Sequence, residues 1–140
     1  MPLTCHECGA PDCRDLFDRL LALEFSRPDP YGRLHAVTVP AWFLQHPDRA
    51  PDGTRTDHWA ILQRWQRDGL DGVHDVVRRR RVANRRGQDL PTAMDEPVPP
   101  VPDQVSTAVT IGHVAGPGRD FPEIGHAARV ADWLRAIATS

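Results

Sequence analysis

Lysine is absent from this sequence, and all 17 basic residues are arginine. Neither sign of charge dominates: the formal net charge is -2 and the isoelectric point is near 6.4. That balance removes any global attraction to nucleic acid or to an anionic membrane. No apolar run approaches the roughly 18 residues that a membrane span needs. The N-terminus also lacks the basic and apolar regions of a signal peptide. Cysteine is scarce, with three in 140 residues, and an odd number cannot all pair within one chain, which argues against a disulfide framework. HExxH is missing, and "GPGRD" at Gly116 to Asp120 lacks the Gly-Lys-Ser/Thr end of a phosphate loop. The expectation is a cytosolic chain forming one domain over residues 1–140, near the usual domain size.

What is present begins at the N-terminus, where "TCHECGAPDC" (Thr4 to Cys13) holds every cysteine of the chain. Cys5 and Cys8 form a CxxC followed by Gly9. That spacing lets two thiolates reach one tetrahedral ion, and glycine supplies the unhindered turn that wraps it. A thioredoxin-like redox site usually follows a strand, and here no strand precedes the motif. A metal ion is therefore the expectation, with Zn2+ as the cofactor. Cys13 is close enough to be a third ligand, and its place at a helix start favours the thiolate. His6, inside the CxxC, is expected to point away. The remaining imidazoles are His35, His46, His58, His74, His113 and His126, with His35 and His46 foremost. In one unbroken helix those two would stand about 16 Å apart along the axis and could not share an ion. A break at Pro40 would remove that objection.

Periodicity predicts a mainly α fold, a small helical bundle with an N-terminal zinc-knuckle-like loop and a proline-rich connector before the C-terminal helix. Asp12 is the expected N-cap of a first helix carrying Leu16, Phe17, Leu20, Leu21 and Leu23 up to about Phe25. "SRPDPY" (Ser26 to Tyr31) breaks it. In "RLHAVTVPAWFLQHP" (Arg33 to Pro47) the position of Pro40 predicts a helix starting near Thr38. Thr56 or Asp57 opens a third helix with Trp59, Ile61, Leu62 and Trp65, Gly69 closes it, and Leu70 to Ala83 keeps helical spacing. Residues 87–106 carry five prolines without periodicity and read as an extended connector on the surface. Thr107 to Gly116 reads as a short strand or an apolar arm, and Pro122 to Thr139 as an amphipathic helix. The four tryptophans are spaced as core residues of separate helices.

Taken together, CxxCG at Cys5 to Gly9, the segment "CRDLFDRLLALEF", the block "LHAVTVPAWFLQHP" and the closing "ARVADWLRAIA" resemble a family of small bacterial proteins, a domain of unknown function frequent in actinobacteria. The resemblance covers most of the chain except the proline-rich connector. It implies that Cys5, Cys8, Cys13, His35 and His46 are the matching positions, and it brings no activity with it.

Three functional readings follow. In the first, zinc is held by Cys5, Cys8 and two of Cys13, His35 and His46, is structural, and leaves function to the binding of a protein or small molecule. In the second, three protein ligands and a water make a zinc-dependent hydrolase, lyase or cyclase of a specialised biosynthetic pathway, with Glu24 or a spare histidine as base, or Glu24 as a support for a ligand. In the third, the basic run Arg78 to Arg81 with Arg85 and Arg86 meets phosphate, RNA or an acidic partner. A solvated, salt-bridged helix is the simpler account of that run, so neither nucleic acid nor membrane is an expected partner. Gln45 reads either as an orienting group beside His46 or as part of a solvated face.

Overall fold

Amphipathic spacing sets the helices seen in the computed structural model, which describes residues 4–85 and 98–140. Helix α1 runs over Cys13–Ser26 and buries Leu16, Phe17, Leu20 and Glu24 along one face. It stops where Arg27 turns extended ahead of Pro28, because proline restricts the preceding residue to non-helical backbone. A 3-10 turn, Gly32–Leu34, feeds α2, His35–Gln45. A second 3-10 turn, Pro47–Arg49, leads to α3, Arg55–Arg85. Helices α4, Ile111–Ala115, and α5, His126–Ala138, complete the order. Among the described residues there is no strand, only an isolated bridge between Thr4 and Pro11. No helix among them is long and apolar enough to cross a membrane.

Two expectations are corrected. Helix α2 begins at His35, three residues before the start that Pro40 suggested, and carries Pro40 in its interior. The lost hydrogen bond at that proline is offset by anchoring at the helix start. Leu34 N–H donates to the Tyr31 carbonyl in the preceding turn, and both His35 and Thr38 bond the buried Glu24 carboxylate of α1. Gly32 permits the approach, since a Cβ there would stand 2.8 Å from the Glu24 carbonyl oxygen. Second, the possible strand within Thr107 to Gly116 is the short helix α4, capped by Thr110, whose hydroxyl accepts from Gly112 N–H at 3.3 Å. Gly69 breaks α3 as expected, with φ +74 in the left-handed region that glycine enters freely.

The core lies where α2 packs against α1, α3 and α5. Trp42, Trp59 and Trp133 are fully buried there with Leu20, Leu62 and Leu134, and Trp65 is half-buried. The described part of the connector hugs this surface. Trp59 Nε1 donates to the Pro99 carbonyl at 2.8 Å, and Arg55 Nη2 donates to the carbonyls of Pro102 at 2.8 Å and Asp103 at 3.1 Å. Gln45 is buried, not solvated. Its Nε2 donates to the carbonyls of Ser106 (2.9 Å) and Val109 (2.8 Å), and its Oε1 accepts from Trp133 Nε1 at 3.0 Å. Arg86 of the basic run and residues 87–97 of the connector lie outside the described residues.

Candidate metal centre

The loop before α1 is shaped by its own backbone. Gly9 N–H donates to the Cys5 carbonyl at 2.8 Å, and Cys5 N–H donates to the Ala10 carbonyl at 3.0 Å. Gly9 takes φ +80, which closes the turn between Cys8 and Ala10 without a Cβ penalty. Ala10 N–H then points at Cys8 Sγ, 3.4 Å away. Asp12 sits at the N-cap with φ +52, but its side chain caps nothing. Its carboxylate instead meets Arg119 Nη2 at 3.2 Å. The turn it makes swings Cys13 inward as the first residue of α1, where Cys13 and Cys8 are both buried and Cys5 half-buried.

His46 arrives from the far end of α2, where the chain leaves the helix. Its Nδ1–H donates to the Trp42 carbonyl at 2.6 Å, one helical turn back, and its Nε2 lies 3.4 Å from Cys13 Sγ. A carbonyl bond at one ring nitrogen fixes the tautomer and leaves the other as a lone-pair donor, the usual arrangement of a metal-ligating histidine. The ring stacks on Trp42 at 3.9 Å, and Trp42 stacks on Phe17 at 4.3 Å, so the imidazole is braced by the core.

One ligand atom from each of Cys5, Cys8, Cys13 and His46 lies within 4.8 Å of the other three, and the group can hold a metal ion. Donors 2.3 Å from a tetrahedral centre sit about 3.8 Å from each other, so the spread fits a single ion. Burial pushes the Cys8 thiol up to about 12, with neighbouring Cys13 and Cys5 adding to the rise. Burial also raises Cys13, helped by Cys5. At Cys5 burial opposes ionisation, but hydrogen bonds from the Cys8 and Glu7 backbone outweigh it and lower the pKa. Burial lowers His46 and keeps its imidazole neutral.

His35 is not in this group, a correction to its place among the candidate ligands. With α2 continuous from His35 to Gln45, it stands at the opposite end of the helix from His46. Its Nδ1 lies 2.7 Å from Glu24 Oε1. Glu24 is likewise engaged with His35 and Thr38 and not with the sulfur atoms. His58 stacks on Phe43 at 5.5 Å, His74 bonds the Arg33 carbonyl at 2.8 Å, His113 meets Asp132 at 3.0 Å, and His126 is buried between Tyr31 and Phe121. Glu7 and Arg49 carry no local signal in the chain, yet they pair at 3.6 Å and tie the cysteine loop to the turn after α2. Glu7 also accepts from Asp48 N–H at 3.2 Å. With His6 and Asp48 it forms a second, more exposed set of close ligand atoms, and its chain spacing carries no local pattern.

The chain belongs to a family of unknown function, DUF5946. The match runs over residues 3–140 and so includes the proline-rich connector that the motif resemblance left out. No curated protein and no solved structure matches the chain. The family assigns no chemistry to the four donors, and their reading rests on geometry alone.

Proposed function

We propose that Cys5, Cys8, Cys13 and His46 bind one zinc ion as a closed structural site, in a cytosolic one-domain protein that works by binding a ligand or a protein partner. The observation that carries this reading is the convergence of four donors from two separate stretches of chain, the N-terminal cysteine segment and the end of α2, within 4.8 Å. Three thiolates and a neutral imidazole in tetrahedral array suit zinc, and four protein ligands leave no coordination position for water. The enzyme reading requires an open position and a nearby base, and Glu24 is committed to His35 and Thr38. A cytosolic setting keeps such thiols reduced. The bound ion would supply a cross-link from the N-terminal loop through α1 to the end of α2, together with positive charge that compensates the buried thiolates.

A structural zinc of this kind contributes about 10 kcal/mol or more of apparent folding free energy, comparable to the roughly 5–15 kcal/mol net stability of a domain. Stripping the metal with a strong chelator is therefore expected to lower the thermal midpoint by tens of degrees, since each kcal/mol is worth about 2–4 °C at this size. Readdition of zinc is expected to restore it. A metal-free protein that keeps its helical circular dichroism and its thermal midpoint would refute the structural role.

A further inference from the structure

Away from the sulfur atoms, α2 and α3 enclose a groove of about 800 Å³, within the usual range of small-molecule sites. Its apolar lining includes Val39, Ile61 and Val77. Its charge is one-sided: five arginines line it, against the single carboxylate of Asp57. Arg78 is held by Asp75 at 2.7 Å. Arg81 and Arg85, three and seven residues further along the same helix face as Arg78, make no ion pair among the described residues. His35 opens onto the same groove with its side chain 41% exposed, while the Glu24 carboxylate behind it is wholly buried. Since Glu24 takes Nδ1 at 2.7 Å, Nε2 is the ring nitrogen left for a ligand. The imidazole is thereby oriented from the core side by a buried partner, itself held by Thr38.

We propose that this groove binds a small organic anion, a carboxylate or phosphate ester with an apolar body, its charged end met by Arg81, Arg85 and His35 and its body lying on Val39, Ile61 and Val77. Guanidinium forks suit the planar oxygens of such groups, and charge-assisted bonds are the strong ones. The Glu24 hydrogen bond raises the His35 pKa, which favours the imidazolium that donates to an anion. The site does not depend on which metal the cysteines hold, and it names a ligand class that the metal reading leaves open.

The test is nuclear magnetic resonance on the full 15N-labelled chain as purified, titrated with phenyl phosphate and with phenylacetate, using benzyl alcohol and benzylamine as neutral and cationic controls. Saturable shifts of amides around His35–Val39 and Val77–Arg85 with either anion, and none with the controls, are expected. A response to one anion alone assigns the site to phosphate esters or to carboxylates. Arg81→Gln/Arg85→Gln, two surface changes that leave the rest of the spectrum in place, is expected to weaken binding at least tenfold, and His35→Gln to weaken it as well. The proposal is overturned if neither anion saturates, if benzylamine binds as well, or if the double variant binds undiminished. Salt-sensitive binding of a single-stranded RNA oligonucleotide at these arginines, with no response to the small anions, would also overturn it and make the face a nucleic-acid surface.

Discussion

His126 offers a quantitative test of the packing around α5. It is fully buried at the first position of the helix, between the rings of Tyr31 (4.7 Å) and Phe121 (6.3 Å), and neither ring nitrogen has a hydrogen-bond partner among the described residues. Burial, and secondarily the Arg129 charge, pushes its pKa down to about 4 from an ordinary 6.5. A cation at a helix N-terminus is disfavoured as well. The folded state therefore resists a proton that the unfolded chain accepts. The stability tied to the neutral ring is fully present above the unfolded value and is lost as pH falls towards the folded one. Linkage across that interval, from about pH 7.5 to about pH 5, amounts to roughly 2 kcal/mol. His126→Leu removes the titrating group at similar volume. Urea unfolding of both proteins at the two pH values is expected to show the wild type losing about 2 kcal/mol more than the variant on acidification. Contributions from the cysteines are common to both and cancel in the difference. An equal loss in the two proteins would refute the reasoning and place His126 in contact with water.

Gln45→Leu strands the buried indole N–H of Trp133 and the carbonyls of Ser106 and Val109. It is expected to destabilise the protein by about 3 kcal/mol in the same assay, at roughly 1–3 kcal/mol per orphaned group; a loss under about 1 kcal/mol would show that the clamp is dispensable. Glu24→Gln removes the charge and replaces a charge-assisted hydrogen bond to His35 with a weaker neutral one, so the imidazole, followed by nuclear magnetic resonance, is expected to titrate at lower pH in the variant. A raised histidine pKa stabilises the fold fully below the ordinary value, and that contribution fades as pH rises through the folded one. An unchanged His35 titration would contradict the pairing.

The parts of the fold legible in the sequence are those whose cause is local. Helices α1 and α5 follow from apolar spacing, and the bend in α3 from Gly69. What the sequence hid depends on distant partners. Pro40 argued for a late start to α2, but the buried carboxylate of Glu24 and the turn after Gly32 fix the helix from His35 onward. Five residues of α4 are too few to establish a period against its β-branched neighbours. In the site, Cys5 and Cys8 could be paired by spacing, whereas Cys13 and His46 meet across 33 positions. Choosing His46 over His35 turned on whether α2 is continuous, which local sequence left open. Gln45 beside His46 suggested polarity at the surface, and its partners lie 61, 64 and 88 positions away, farther than any local pattern reaches.

The central claim concerns four donors and one ion, and elemental analysis of the purified chain tests it most directly. One zinc per chain is expected, retained by His35→Ala and lost together with cooperative unfolding in Cys13→Ser and His46→Ala. A full complement of zinc in the Cys13 and His46 variants, or a folded wild-type protein carrying no metal, would contradict the account.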